Sequence, residues 1–181
     1  MEIRRGDKTL YIGIDESNHG RSPEIIVAVS STIYSDASPV KTSEKVRIDE
    51  GSLMRFFSNK ERDFRYTSIK REKDSAIDLE YIACCLIEKL VAREKKEEVD
   101  VLEILIDGEG KVSGGEEIVK LMRDYGRRRS INSIRIKYYP KKGFSYKYPR
   151  MLFLADSLAH YLFRHESFRN KADAERKRID F

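Results

Sequence analysis

The sequence has no apolar run long enough to cross a membrane, and residues 1–8 are mostly charged instead of forming a basic segment followed by an apolar one. Both absences predict a soluble, cytoplasmic protein. Cysteine is nearly absent too, because only Cys84 and Cys85 occur, side by side in a predicted helix. This spacing suits neither a disulfide framework nor a zinc site, so we interpret both as small core residues.

A phosphate-binding glycine loop is also missing. The segment 108–115 contains several glycines and Lys111, but it has no leading glycine at the required distance and no Ser or Thr directly after Lys111. A phosphotransfer ATPase of the actin and sugar-kinase architecture would further need a duplicated domain, for which 181 residues are too few. We therefore set that class of function aside.

The chain has enough apolar material for one domain with a core. It has 181 residues, of which 40% are hydrophobic, and we expect one domain over 1–181. The 36 Lys and Arg exceed the 31 Asp and Glu and give a net charge of +5, with basic clusters at 127–129 and 137–150. Such clusters suit a polyanion such as nucleic acid, although a charged fraction of 37% is also typical of a thermophile's surface.

The pattern of apolar residues predicts a mixed α/β domain with three layers. Two strands near 9–15 and 24–34 are close enough in sequence to form an antiparallel hairpin. From residue 63 onward strands and helices alternate, which favours parallel pairing with helices on the sheet. The remaining expectations are an irregular, mobile insertion at 35–62, strands near 64–69, 100–107 and 131–139, a helix capped by Asp74 or Ser75, a helix ended by Gly126, and a charged tail at 168–181.

Acidic residues interrupt three apolar runs. Asp15 and Glu16 end the first strand, Asp107 ends the strand near 100–107, and Asp156 lies within the apolar run 151–159. Carboxylates are depleted in strands and costly to bury, so such positions commonly manage a cation or a proton. We predict that three of these acids, Asp15, Asp107 and Asp156, converge in one site.

These motifs resemble the ribonuclease H-like superfamily. The run Gly13-Ile14-Asp15-Glu16 is similar to the opening motif of type 2 ribonuclease H. The pair Ile14-Asp15-Glu16-Ser17 and Leu154-Ala155-Asp156-Ser157-Leu158-Ala159 is more similar to an uncharacterised group, a domain of unknown function with an IDES-type strand and an ADxxA-type final helix. The resemblance implies a mixed five-stranded sheet, an antiparallel hairpin plus parallel strands, flanked by helices.

The resemblance also implies an activity. Members of this superfamily suggest a divalent-metal-dependent nuclease acting on RNA, DNA or an RNA/DNA hybrid, with Mg²⁺ or Mn²⁺ as cofactor. Asp15 would bridge the metals, Asp107 and Asp156 would complete the ligand set, and Glu16 would be a fourth catalytic acid. The loop Ser17-Asn18-His19-Gly20-Arg21-Ser22-Pro23 departs from the Gly-Arg-Gly loop with which type 2 ribonuclease H recognises a ribonucleotide.

Each acid also has a structural interpretation. Asp15 could cap the turn that follows it, Asp107 could initiate a turn with Gly108, and Asp156 could pair with a buried Lys or Arg. Joint convergence is the hypothesis that we carry forward. A non-catalytic nucleic-acid-binding module of the same fold is the alternative.

Two histidines and a basic, aromatic segment complete the candidates. His160, one turn after Asp156, is a candidate catalytic residue or outer hydrogen-bond donor, and it could instead cap the core. Five aromatics alternate with five cations over 137–150, a composition that suits phosphate neutralisation and base stacking, or else an exposed loop whose tyrosines pack on the core. The predicted nucleic-acid contacts are His19, Arg21, Lys137, Lys141, Lys142, Tyr146, Lys147 and Arg150. Nucleic acid is therefore the predicted partner, a homodimer is left open, and no membrane partner is expected.

Overall fold

A computed structural model describes residues 8–17, 23–41, 49–69, 79–93, 99–107, 115–129, 131–139 and 147–180. The strands within these ranges are β1 (Thr9–Ser17), β2 (Glu24–Ser31), β3 (Pro39–Lys41), β4 (Arg62–Ile69), β5 (Val101–Asp107), β6 (Ser133–Tyr139) and β7 (Lys147–Pro149). The helices within the same ranges are α1 (Tyr34–Ala37), α2 (Glu50–Phe57), α3 (Leu79–Arg93), α4 (Gly115–Arg129), α5 (Arg150–Arg164) and α6 (Glu166–Ala174).

Five strands form a central mixed sheet in the order β4-β2-β1-β5-β6. The short link between β1 and β2 produces the antiparallel hairpin expected from the sequence, and β1, β5 and β6 run parallel. The predicted fold class, a mixed five-stranded α/β sheet flanked by helices, is confirmed. The expected parallel pairing is wrong for β4, which lies antiparallel to β2 as the third strand of a meander.

Strict alternation along β1 divides the apolar residues between the two faces of the sheet. Leu10, Ile12 and Ile14 belong to a core formed with residues of α3 and α4. Tyr11 belongs to a second core formed mainly with α5. Successive strand residues point to opposite faces, so one strand supplies both cores and the domain has three layers.

The segment 35–62 is more regular than its polar composition predicts. It contains α1, β3 and α2, while 42–48 lie outside the described residues. Leu53 and Phe56 of α2 are buried in the α5-side core, and β3 pairs with β7 in a separate two-stranded sheet. The mobility of this segment stays a prediction, and the expectation of irregular structure is wrong for its described part.

Two predicted boundaries are also wrong. β2 ends at Ser31, and α1 begins at Tyr34, where the sequence pattern extended the strand. Gly126 does not end α4, which continues to Arg129. A Cβ at Gly126 would lie 2.7 Å from Cδ1 of Ile134, so glycine here permits close approach of the helix to β6.

The cysteines agree with the sequence where the structure describes them, and the predicted cap at Asp74 or Ser75 lies outside the described residues. Cys84 is buried and Cys85 half-buried on α3, and neither is part of a disulfide within the described residues. No helix within the described ranges has the length and apolar character needed to span a membrane.

Candidate functional site

Asp15 and Asp107 lie level with each other near the carboxyl ends of two parallel strands. β1 is the central strand of the sheet, and the register that pairs Ile14 with Ile106 places Asp15 level with Asp107. Neighbouring strands are about 4.8 Å apart, and residues level with each other in a parallel pair point to the same face. Asp15 is 5% exposed, so its carboxylate is held where water screens charge poorly.

That face of the sheet is the one covered by α5. Leu105, two residues before Asp107, packs in the core that includes Leu152 and Ala155 of α5. The helix lies so close to β1 that a Cβ on Gly13 would be 3.1 Å from the Cβ of Met151. The glycine at this crossing allows α5, which carries Asp156, to lie close to the strand that carries Asp15.

Asp156 lies at the edge of the buried face of α5. Leu152, Ala155 and Ala159 are fully buried against the sheet, whereas Asp156 is half-buried. Asp156 can therefore face the sheet at its margin while remaining accessible to solvent on one side.

The charges of all three acids act on the hydroxyl of Tyr148. Burial raises the pKa of Tyr148 far above its ordinary value, and the nearby carboxylate of Asp107 raises it further. The negative charges of Asp107, Asp15 and Asp156 add to the same shift, in that order. The three acids therefore share one electrostatic neighbour, the buried phenol of Tyr148.

The ring contacts of Tyr148 also place it beside the acids, independently of the charges that act on its hydroxyl. β7 pairs with β3, and the ring of Tyr148 contacts Tyr139 at 6.2 Å and Phe153 at 4.8 Å between ring centroids. Tyr139 is the register partner of Asp107, and Phe153 is on α5 three residues before Asp156. Tyr148 therefore sits between the end of β5 and the helix.

Sequence reasoning did not assign Tyr148 to this site. Within the basic, aromatic segment 137–150 it counted only as one of five aromatics available for nucleic acid. The structure instead buries its side chain, which is 6% exposed, in the α5-side core. The available signal was its position eight residues before Asp156, two residues ahead of the first residue of α5.

The donor chemistry of these acids fits a divalent cation. Carboxylate oxygens are the preferred ligands of Mg²⁺ and suit Mn²⁺, and buried oxygens of Asp15 and Asp107 gain from a nearby positive charge. Over the described ranges, no three His, Cys, Asp or Glu side chains are grouped closely enough to hold a metal ion as they stand. Binding a metal would therefore require the acidic side chains to rotate toward one another. Without a cation, repulsion between their like charges favours rotation away from one another.

The other predicted site residues have varied positions. Glu16 belongs to β1, with Ile26 as its backbone partner, and its side chain is outside the described part of the structure. His160 is exposed on α5, and Arg150 is exposed at the start of that helix.

The ammonium of Lys137 donates to Oε1 of Glu103 at 2.8 Å, which raises the pKa of Lys137. His19, Arg21, Lys141, Lys142, Tyr146 and the side chain of Lys147 lie outside the described residues.

Comparison with known proteins gives weak structural likenesses only. Neither a family model nor a curated protein matches this chain. It is similar to RNase HII from Archaeoglobus fulgidus in a complex with PCNA, with 16% identity, a TM-score of 0.46, and coverage of 91% of this chain and 77% of that one. It is also similar to Bst-RNase HIII in complex with Mn²⁺, with 16% identity, a TM-score of 0.49, and coverage of 93% of this chain and 56% of that one. Because both identities are 16% and both TM-scores are below 0.5, these likenesses assign neither a family nor an activity.

Proposed function

We propose that this protein is a divalent-metal-dependent nuclease that hydrolyses phosphodiester bonds of RNA, DNA or an RNA/DNA hybrid. One observation carries the proposal: the register of β1 and β5 places Asp15 level with Asp107 on the face of the sheet that α5 covers, and α5 carries Asp156. Carboxylates near one another repel, so structure alone gives little reason to bring them to one end of the sheet. A cation site gives that arrangement a purpose.

Asp15, Asp107 and Asp156 would hold Mg²⁺ or Mn²⁺. Bound there, the metal would supply an activated water and stabilise the leaving oxygen of the cleaved phosphodiester. Asp15, rigid on the central strand, would fix the position of the site. Asp156, half-buried on α5, would lie toward the solvent side from which the nucleic acid enters.

The proposed nucleic-acid contacts follow the basic segment between β6 and α5. Lys137 and Arg150 mark its two ends, and both side chains are exposed at least in part. Lys141, Lys142, Tyr146 and Lys147 lie between them in sequence, and we retain them as proposed contacts, together with His19, Arg21 and the proposed catalytic acid Glu16. Because β7 joins this segment directly to α5, bound phosphates would be delivered to the face that carries the acids.

The test is the substitution Asp15→Asn, which keeps the shape of the side chain and removes its charge. Hydrolysis of labelled single-stranded RNA, duplex DNA and RNA/DNA hybrid in Mn²⁺ should fall by orders of magnitude, because the cation loses its most buried ligand. Nucleic-acid affinity, measured by fluorescence anisotropy, should persist or increase. Asp124→Asn is the matched control, since Asp124 is 55% exposed on α4.

Equal cleavage by wild type and Asp15→Asn would assign the activity to another site or to a contaminant. No cleavage by either protein, with nucleic-acid binding intact, would support the non-catalytic binding module instead.

A further inference from the structure

We propose that Tyr148 is a positioning residue for the metal site, whose hydroxyl donates to the carboxylate of Asp107 and holds it in the orientation that binds a divalent cation. This inference rests on the proposed function. It gives Tyr148 a role in orienting the Asp107 carboxylate, in addition to its packing in the core.

The first support is the place of Tyr148 in the fold. Its ring is fixed from two sides, by Tyr139 at 6.2 Å and by Phe153 at 4.8 Å between centroids, and its hydroxyl oxygen is buried. Its strand partner is Val40 in β3. A ring held this firmly can place its hydroxyl reproducibly.

The second support is the identity of the group that it meets. Asp107 is the last residue of β5, and its register partner Tyr139 contacts the ring of Tyr148. An outer hydrogen bond to one carboxylate oxygen would leave the other oxygen directed at the cation.

The third support is the burial that the two groups share. The Tyr148 hydroxyl and Oδ1 of Asp107 are both buried, and a phenol can donate to a carboxylate without adding negative charge. The hydroxyl has no hydrogen-bond partner of ordinary geometry among the described residues, so a modest rotation of the Asp107 carboxylate would complete the bond. The bond would strengthen when a cation draws the carboxylates together.

Tyr139→Phe provides a matched control. Tyr139 belongs to the same ring cluster, and the substitution deletes the same hydroxyl group. However, the charges that act on the hydroxyl of Tyr139 are those of Lys137 and Glu103, not those of the three acids. Any general effect of removing a phenol from this cluster should appear in both variants.

The experiment measures Mn²⁺ affinity in the absence of nucleic acid, by isothermal titration calorimetry and by the Mn²⁺-dependent rise in Tm. Tyr148→Phe should weaken Mn²⁺ binding by about 10- to 100-fold, the usual effect of losing an outer hydrogen bond to a metal ligand. Tyr139→Phe should bind like wild type. Far-UV circular dichroism should show that both metal-free variants are folded, because each retains its ring.

The outcomes separate this inference from the function on which it rests. Mn²⁺ binding by wild type that Asp15→Asn abolishes and Tyr148→Phe leaves unchanged would overturn the positioning role and keep the metal site. Absence of Mn²⁺ binding by wild type would overturn both. If Tyr148→Phe lowers the metal-free Tm, a double-mutant cycle with Asp107→Asn distinguishes the positioning role from a general loss of stability. A hydroxyl that acts through Asp107 should have no further effect on Mn²⁺ binding once that carboxylate is gone.

Discussion

At the residue scale, one carboxylate of the described chain is fully buried: Asp36 in α1 has a side chain that is 0% exposed. The guanidinium of Arg62 donates to it twice, from Nε at 2.8 Å and from Nη2 at 3.1 Å, and the hydroxyl of Ser31 donates at 2.7 Å. Arg62 also lies 4.1 Å from the centre of the Phe56 ring. This bidentate pair ties α1 to β4, just ahead of β3, the partner of the strand that carries Tyr148.

Removing the guanidinium should be costly. Arg62→Ala leaves the Asp36 carboxylate buried without its cation, and we expect the free energy of unfolding in urea to fall by about 3–5 kcal/mol. Arg127→Ala is the control, because Arg127 is 81% exposed beside Asp124 and an exposed pair contributes at most about 1 kcal/mol. Equal losses in the two variants would show that the Asp36 pair adds no more than a surface pair.

Sequence could identify the acids but not their electrostatic neighbour. Asp15, Asp107 and Asp156 interrupt apolar runs, and that local conflict with burial makes them visible without a structure. Tyr148 gives no such conflict, since a tyrosine between a lysine and a proline is ordinary for a loop. Its position depends on pairing between β7 and β3, which lie more than a hundred residues apart in the chain.

At the element scale, the approach of α5 to β1 sets the separation between Asp156 and Asp15. At Gly13 an added Cβ would meet three atoms of Met151, its Cβ at 3.1 Å and its backbone C and O at 3.2 Å. Backbone atoms cannot rotate away as the end of a side chain can. The helix itself would have to shift, and with it the acid that it carries.

Gly13→Ala tests this packing. We expect a loss of about 1–3 kcal/mol in the free energy of unfolding, as for other insertions of a methyl group into a close-packed core. Weaker Mn²⁺ binding should accompany it, because Asp156 moves with α5. Gly51→Ala is the control: its nearest neighbours are Oδ1 of Asp49 at 3.4 Å and Nη1 of Arg55 at 3.9 Å, and alanine should favour α2 slightly. A Gly13→Ala protein as stable as wild type would contradict the close-packing argument.

The long elements could be predicted from their patterns, and the short ones could not. β1, β5 and α5 have sustained apolar periodicity that a single sequence displays. β3 and β7 have three residues each, too few for an alternating pattern, and they exist because they pair with each other. The predicted helix end at Gly126 is wrong because a glycine after a helical pattern usually marks the end of a helix. Here the glycine instead allows close packing against Ile134.

At the scale of the whole molecule, the topology explains why residues from distant parts of the chain meet. Parallel pairing of β1 with β5 brings together positions 92 residues apart, such as Ile14 and Ile106, near the carboxyl ends of the two strands. The last described segment reaches back across the fold as well. Ile179 donates its N–H to the carbonyl of Tyr66 at 2.8 Å, and Lys177 lies 2.6 Å from the carboxylate of Asp63. The charged tail therefore covers part of the edge strand β4, which its composition alone does not indicate.

Location of a bound cation tests the central claim most directly. Crystals grown with MnCl₂ and measured near the manganese absorption edge should show an anomalous peak within about 2–2.3 Å of carboxylate oxygens of Asp15, Asp107 and Asp156, the distance typical of an oxygen-bound divalent ion. The peak should be lost in Asp15→Asn crystals under the same conditions. A well-ordered wild-type structure at saturating Mn²⁺ with no peak among these three acids, or with its peak elsewhere, would contradict the proposed metal site.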